Sequence, residues 1–255
     1  VPIDQAAAAP GPPPAHGRTS PQRPAPRLPS ATQGPAALGL DLSGLRLRVT
    51  AVGIPALARA AYVRAAASAD AAKPSCGLTW QQLAAVGYVT SEHGSRGGRH
   101  LTAAGEAPTP LFAPLLDGHA GIEYADSDHG ALDGSSRFDR GVGPFAIVPF
   151  VWRTWGADGN GDGVRDPQQI DDAALTAADF LCVATPTVRT GAGFHAALHT
   201  YDSDLGFAQT VADVARTYAG LPARTILPAP KAKHRKRAQP RVATAAVSGG
   251  FGTSP

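Results

Sequence analysis

Residues 79–98 read TWQQLAAVGYVTSEHGSRGG, and the fold depends on whether they form a helix running into a glycine-rich loop. Thr79 with Gln82 three places on is a capping-box pattern, in which each side chain satisfies the other residue's backbone N–H. Leu83, Val86, Gly87 and Thr90 recur at i, i+3, i+4 and i+7, which is one face of a helix. Gly94 supplies a stop, because glycine adopts the left-handed conformation without steric cost. The spacing predicts a helix over 79–94 that ends beside one carboxylate, Glu92, set between Ser91 and His93.

The same reading extends outward. Residues 54–72 are rich in Ala and Arg with Pro55 at the start, a strong helix signal. Residues 143–156 read as a helix opened by Pro144 and bent by Pro149. An Ala-rich helix over 170–183 is expected to take Asp171 or Asp172 as its cap, and helices over 194–201 and 205–220 follow. No pair of alternating strands stands out. Residues 95–143 carry many Gly, Pro and Asp with little periodicity, and so long an irregular excursion inside a compact domain is usually functional. The fold class expected is mainly α. Trp152 and Trp155, three apart on an expected helix, read as core.

The 255 residues divide by composition. Residues 1–40 are dominated by Ala and Pro and cannot bury enough apolar surface to offset chain entropy, so a disordered tether is expected. Residues 221–255 are Pro-rich, then basic, then Gly/Ser-rich, and read as a disordered tail. Residues 41–220 are left as one domain. Of the net charge of +3, Lys231, Lys233, Arg235, Lys236, Arg237 and Arg241 supply six positive charges and residues 1–38 a net two more, so the rest of the chain is acidic. A basic tail on an acidic body suits an anionic polymer or a membrane surface. Nothing in the body looks like a nucleic-acid module, and no apolar run is long enough to span a membrane. Val1 is not a start residue, so a processed product from which any signal peptide has been removed is expected, and a monomer is expected as well. Two reduced thiols at Cys76 and Cys182 would fit a cytosolic protein. A bridge between them would fit a secreted one, and would contribute about 4–5 kcal/mol in the chain-entropy model.

Residues 158–172, DGNGDGVRDPQQIDD, place oxygen-bearing side chains at alternate positions 158, 160 and 162, with glycine at the sixth place. That is the opening of an EF-hand loop. Calcium takes six to eight hard oxygen ligands, and alternate residues of a tight turn point inward. The expected ligands are Asp158, Asn160, Asp162, the Val164 carbonyl and Asp166. The twelfth position, usually a bidentate Glu, is Gln169, so the missing carboxylate is expected from Asp171 or Asp172. The ion would be structural, since no His clusters with these groups.

Several segments fit one family together. PSCGLTWQQLAAVGYV (74–89), His93-Gly94, LDGHAGIEYADSDHGALDGSSRFDRGVGPF (116–145), the stretch 149–182 and TYDSD (200–204) resemble the lytic murein transglycosylases of the membrane-bound B type, in their secreted two-cysteine branch. The resemblance implies a lysozyme-like helical fold with a calcium loop, a Cys76–Cys182 bridge, and a secreted or cell-wall location. It also implies a substrate: the MurNAc-GlcNAc glycan strands of peptidoglycan. One Glu would protonate the glycosidic oxygen and then, as base, take the proton of the muramic C6 hydroxyl, which closes a 1,6-anhydro ring. Water is not the nucleophile, so the second carboxylate of ordinary glycosidases is not needed.

The pattern departs where the chemistry is most exacting. The family carries its Glu in V-E-S-x-H-G; this chain has Thr90 at that place, in Val89-Thr90-Ser91-Glu92-His93-Gly94. Threonine cannot deliver and retrieve a proton at useful pKa. Glu92 would serve only if the helix ended near Thr90 and the chain turned it inward. Glu106 and Glu123, in the long excursion, and Asp202, near the expected groove, are the other candidate carboxylates. The family's Gln after Gly-Pro-Met is Ala146, and its Tyr-Asn pair is Tyr201-Asp202. Ser91, His93, Tyr201 and Asp202 are the expected substrate-binding residues, with Glu92 the candidate acid. Two functions follow: a lytic transglycosylase, or an inactive homologue that binds the strand.

Overall fold

The computed structural model describes Leu40 and residues 53–119 and 123–220. The tether, residues 41–52 and the basic tail lie outside the described residues. Among the described residues there are six helices and one two-stranded sheet, so the chain is mainly α. No helix is long and apolar enough to cross a membrane.

Helix α1 spans Ala56–Ala72 and buries Ala58, Ala61, Tyr62, Ala65, Ala66 and Ala69, a stripe at helical spacing. Helix α2 spans Trp80–Ser91. The capping box forms as the sequence requires: the Gln82 N–H donates to Thr79 Oγ1, and the Thr79 N–H to Gln82 Oε1 at 2.9 Å. After the excursion come α3 (Pro149–Trp155), α4 (Ile170–Ala184), α5 (Gly191–Tyr201) and α6 (Leu205–Gly220).

Helices α1 and α4 pack together, and both present alanine-rich buried faces. Small side chains let the two backbones approach closely, so much contact comes from little side-chain volume. Helix α2 packs on α1 and on α6. Cys76, between α1 and α2, is bonded to Cys182 in the last turn of α4. Lys73 reinforces that junction, donating from Nζ to the carbonyls of Cys182 and Thr185 and so satisfying two otherwise orphaned groups at the C-terminus of α4.

Three local expectations are corrected. No helix begins at Pro144: Gly143 and Ala146 have φ of 76° and 49°, Val142 pairs with Ile147, and the helix starts at Pro149, whose missing N–H costs nothing at the first position. The cap of α4 is Gln169, whose side chain accepts from the N–H groups of Asp171 and Asp172. The excursion contains a small sheet: β1 (Phe112–Leu115) runs antiparallel to β2 (Arg140–Val142), with an irregularity between the pairs Phe112–Val142 and Leu115–Arg140. Strands of four and three residues are too short to show an alternating pattern. A second small core, Ala113, Leu116, Tyr124, Ala146 and Val148, lies beneath them, with the Phe150 ring stacked on Tyr124.

Candidate functional site

The end of α2, strand β1 and the 143–146 turn enclose a cleft of roughly 440 Å³. Thr90, Ser91, Arg96, Arg99, Phe112 and Ala146 are among the twelve described residues lining it. None of the twelve is a carboxylate, and two are arginines.

Thr90 lines the cleft, but its hydroxyl is engaged behind it, at 2.6 Å from the Pro144 carbonyl and 2.9 Å from that of Val86. It therefore pins the helix end to the 143–146 turn. Ser91 donates to the Gly87 carbonyl and accepts from the Gly94 N–H at 2.8 Å. Neither hydroxyl is poised for proton transfer.

The helix does end early, at Ser91, which is the condition under which Glu92 could have turned inward. Glu92 is the C-cap, with φ 54° and ψ 45°, and its N–H donates to the Tyr88 carbonyl at 2.7 Å. His93 follows with φ 61°. Two successive left-handed residues reverse the chain, and the half-buried Glu92 is not among the residues lining the cleft. Glu106 and Glu123 are exposed and outside the lining as well.

His93 leaves the cleft for the core and is 1% exposed. Tyr62 Oη lies 3.0 Å from its Nδ1 and Tyr218 Oη 3.0 Å from its Nε2. A neutral imidazole has one donor and one acceptor nitrogen, so one phenol donates to it and the other accepts. Burial lowers the His93 pKa to about 3. Tyr201 is likewise structural: its hydroxyl donates to the Phe145 carbonyl at 2.5 Å and its ring stacks on Phe207. Burial, and then the neighbouring Asp202, hold that phenol in its neutral form. Asp202 is buried at the C-cap of α5, where its carboxylate accepts from the Asp204 N–H. Of the four expected sugar contacts only Ser91 lines the cleft.

Arg96, Arg99 and Phe112 line it instead, and sequence reading missed them. Arg96 donates to the Val89 carbonyl at 2.8 Å, serving the last turn of α2. Arg99 is exposed and donates one N–H to the Arg96 carbonyl at 3.0 Å. Gly97 and Gly98, with φ of 75° and 76°, turn the chain between them. Phe112 is 40% exposed, with the Arg140 guanidinium 4.0 Å over its ring.

The acidic loop is held by its own side chains. Asp158 accepts from the Gly161 and Gly163 N–H groups, Asn160 Oδ1 from Asp162, and Asp162 Oδ1 from Val164. Gly161 and Gly163 have φ of 79° and 87°, where a side chain would be strained. The two candidates for the missing carboxylate separate. Asp171 turns away, taking both Nε and Nη2 of Arg64 on its Oδ1. Asp172 faces the loop, accepting from Gly159 at 2.7 Å and from Asp166 at 2.8 Å. Burial raises the Asp172 pKa against those bonds, and Asp158 adds to the rise. The donors are all hard oxygen around a glycine bend, the chemistry calcium takes, but these carboxylates face the loop's own N–H groups and no three of them converge on one point.

A separate acidic group, Asp126, Asp128 and Asp139, brings its oxygens within 4.8 Å of one another. Buried Asp139 accepts from the Ser127 N–H and hydroxyl, and Asp128 from the Leu132 N–H, so these carboxylates shape the 126–139 turn. Comparison of the chain with family models, with curated proteins and with solved structures finds no match.

Proposed function

We propose that this chain is a cell-wall protein built on a lysozyme-like, lytic-transglycosylase frame, and that it grips MurNAc-GlcNAc strands without cutting them. One observation carries the reading: the cleft beside the end of α2 is lined by Thr90 where the resemblance expects the acid, and by no carboxylate among its described residues. Departure of a glycosidic oxygen needs a proton from a group within hydrogen-bond reach. Thr90 holds its proton far too tightly, and its hydroxyl already faces two carbonyls. Binding needs only shape, apolar surface and a few polar groups, and the cleft has these.

In the same reading calcium is a structural cofactor. Asp158, Asn160, Asp162, the Val164 carbonyl, Asp166 and Asp172 would hold it, pinning the loop to the start of α4. The ion would neutralise charge that the loop otherwise concentrates. The disulfide suits an oxidising compartment outside the cytosol. The basic segment from Lys231 to Arg241 would add attraction to anionic wall polymers or a membrane surface.

The test is incubation of the full chain with purified peptidoglycan, followed by sedimentation and by mass spectrometry of the soluble fraction. Co-sedimentation without 1,6-anhydro-muropeptides is expected. Anhydro products that vanish in Glu92→Gln would overturn the non-cleaving reading and restore Glu92 as acid.

A further inference from the structure

Resting on the glycan reading, one question remains: which feature of the strand the cleft reads. The lining supplies two kinds of surface. Pro110, Phe112, Pro114 and Ala146 are apolar or nearly so and suit the faces of sugar rings. Arg96 and Arg99 are the only charged residues among the described lining. A third guanidinium, Arg140, lies against the Phe112 ring at the same wall. Among the described residues Arg99 makes no ion pair, and its one hydrogen bond goes to a backbone carbonyl. The charge that Arg99 brings to a concave, partly apolar site focuses the field on whatever enters it. A neutral hexosamine polymer offers nothing to match that charge. A strand carrying carboxylates does, and planar guanidinium groups bind carboxylates in a fixed, two-pronged geometry.

We propose that Arg99, with Arg96 beside it, makes the cleft selective for carboxylate-bearing glycan over neutral glycan of the same backbone. The carboxylate sits on the lactyl ether of a muramic sugar or on a peptide attached there. The two sources share one chemistry and differ in reach. Arg96 also holds the last turn of α2, so Arg99 is the residue to vary.

The experiment measures affinity of the full chain by calorimetry for three preparations of one glycan strand. One is stripped of peptide, so that its lactyl carboxylates are free. One is the stripped strand with those carboxylates converted to methyl amides. One keeps its peptides. The free-acid strand is expected to bind about three- to tenfold tighter than the amide, an advantage that shrinks from 50 to 500 mM salt as exposed charges are screened. Arg99→Gln should bring that ratio towards one, and Arg99→Glu should invert it. Circular dichroism checks that both variants fold. Tightest binding by the stripped strand places the carboxylate on the lactyl group; tightest binding by the peptide-bearing strand places it on the peptide; either supports the inference. Equal affinity for acid and amide overturns it while leaving the glycan reading intact. Binding to none of the three overturns the glycan reading itself.

Discussion

Between pH 6.5 and pH 5, acidification should destabilise this protein chiefly through one residue. His93 is buried with both ring nitrogens against phenols, and its pKa falls to about 3 from an ordinary 6.5. The unfolded chain takes up a proton on His93 near pH 6.5; the folded chain resists until about pH 3. Between those values the unfolded state binds more protons, so stability is complete above 6.5 and is lost as the pH falls. Each pH unit in that window costs about 1.4 kcal/mol, so the loss is about 2 kcal/mol at pH 5 and about 3 kcal/mol at pH 4. Asp139 and Asp172 act with the opposite sign, since burial raises their pKa and their protonation favours the folded state. They are the same in wild type and variant, and cancel in the difference. The perturbation is His93→Gln, which keeps one donor and one acceptor but does not titrate. Urea unfolding followed by tryptophan fluorescence gives stability at pH 7 and pH 5. The variant should be less stable at pH 7 because the amide fits the pocket worse, yet should lose about 2 kcal/mol less between the two pH values. An equal loss in both proteins, with equal urea slopes, would refute the assignment of the acid sensitivity to His93.

Other outcomes are as definite. Gly143→Ala should cost about 2–5 kcal/mol, because Cβ would stand 1.7 Å from the Pro167 carbonyl at a φ of 76° and the 143–146 wall of the cleft must move; a thermal melt measures it. Removing the disulfide as Cys76→Ser with Cys182→Ser should cost up to about 4–5 kcal/mol for a sequence separation of 106, read as a fall in urea midpoint. Calcium should raise the melting temperature, chelator should reverse it, and Asp162→Ala should abolish both responses; an identical melt with and without chelator would count against the loop as a cation site.

Sequence reading reached what local chemistry decides and missed what packing decides. Thr79 and Gln82 are three residues apart and bond each other wherever the helix lies, so α2 was legible from its start. Pro144 and Pro149 are both suited to a first helical turn. The helix starts at Pro149 because residues 142–147 are taken up by a turn, with positive φ at Gly143 and Ala146 and Val142 paired to Ile147, and that turn lies against Pro167, a neighbour 24 positions on that no local pattern announces. Asp171 and Asp172 are equally good carboxylates on paper. Adjacent helical residues point about 100° apart, and the packing of α4 on α1 aims Asp171 at Arg64 and leaves Asp172 for the loop. His93 reads as a polar site residue, but its partners are 31 and 125 positions away. Arg96 and Arg99 sat in a glycine-rich stretch whose course is set by positive φ angles at Gly94, Gly97 and Gly98. Only the turn of the chain puts both arginines on the cleft.

Those arginines also bear on what an acid placed at position 90 would do. Thr90→Glu puts a carboxyl group into the cleft, where the Val86 and Pro144 carbonyls favour its protonated form. Arg96 and Arg99 line the same cleft and favour the ionised form. A general acid must begin protonated, so a guanidinium close enough to guide an anionic strand works against a proton donor in that space. Thr90→Glu alone is therefore expected to leave peptidoglycan uncut. Thr90→Glu with Arg99→Gln should release more anhydro product than Thr90→Glu, with the gain largest at mildly acidic pH. Equal release by the two variants across the pH range would show that the arginine exerts no hold on the acid.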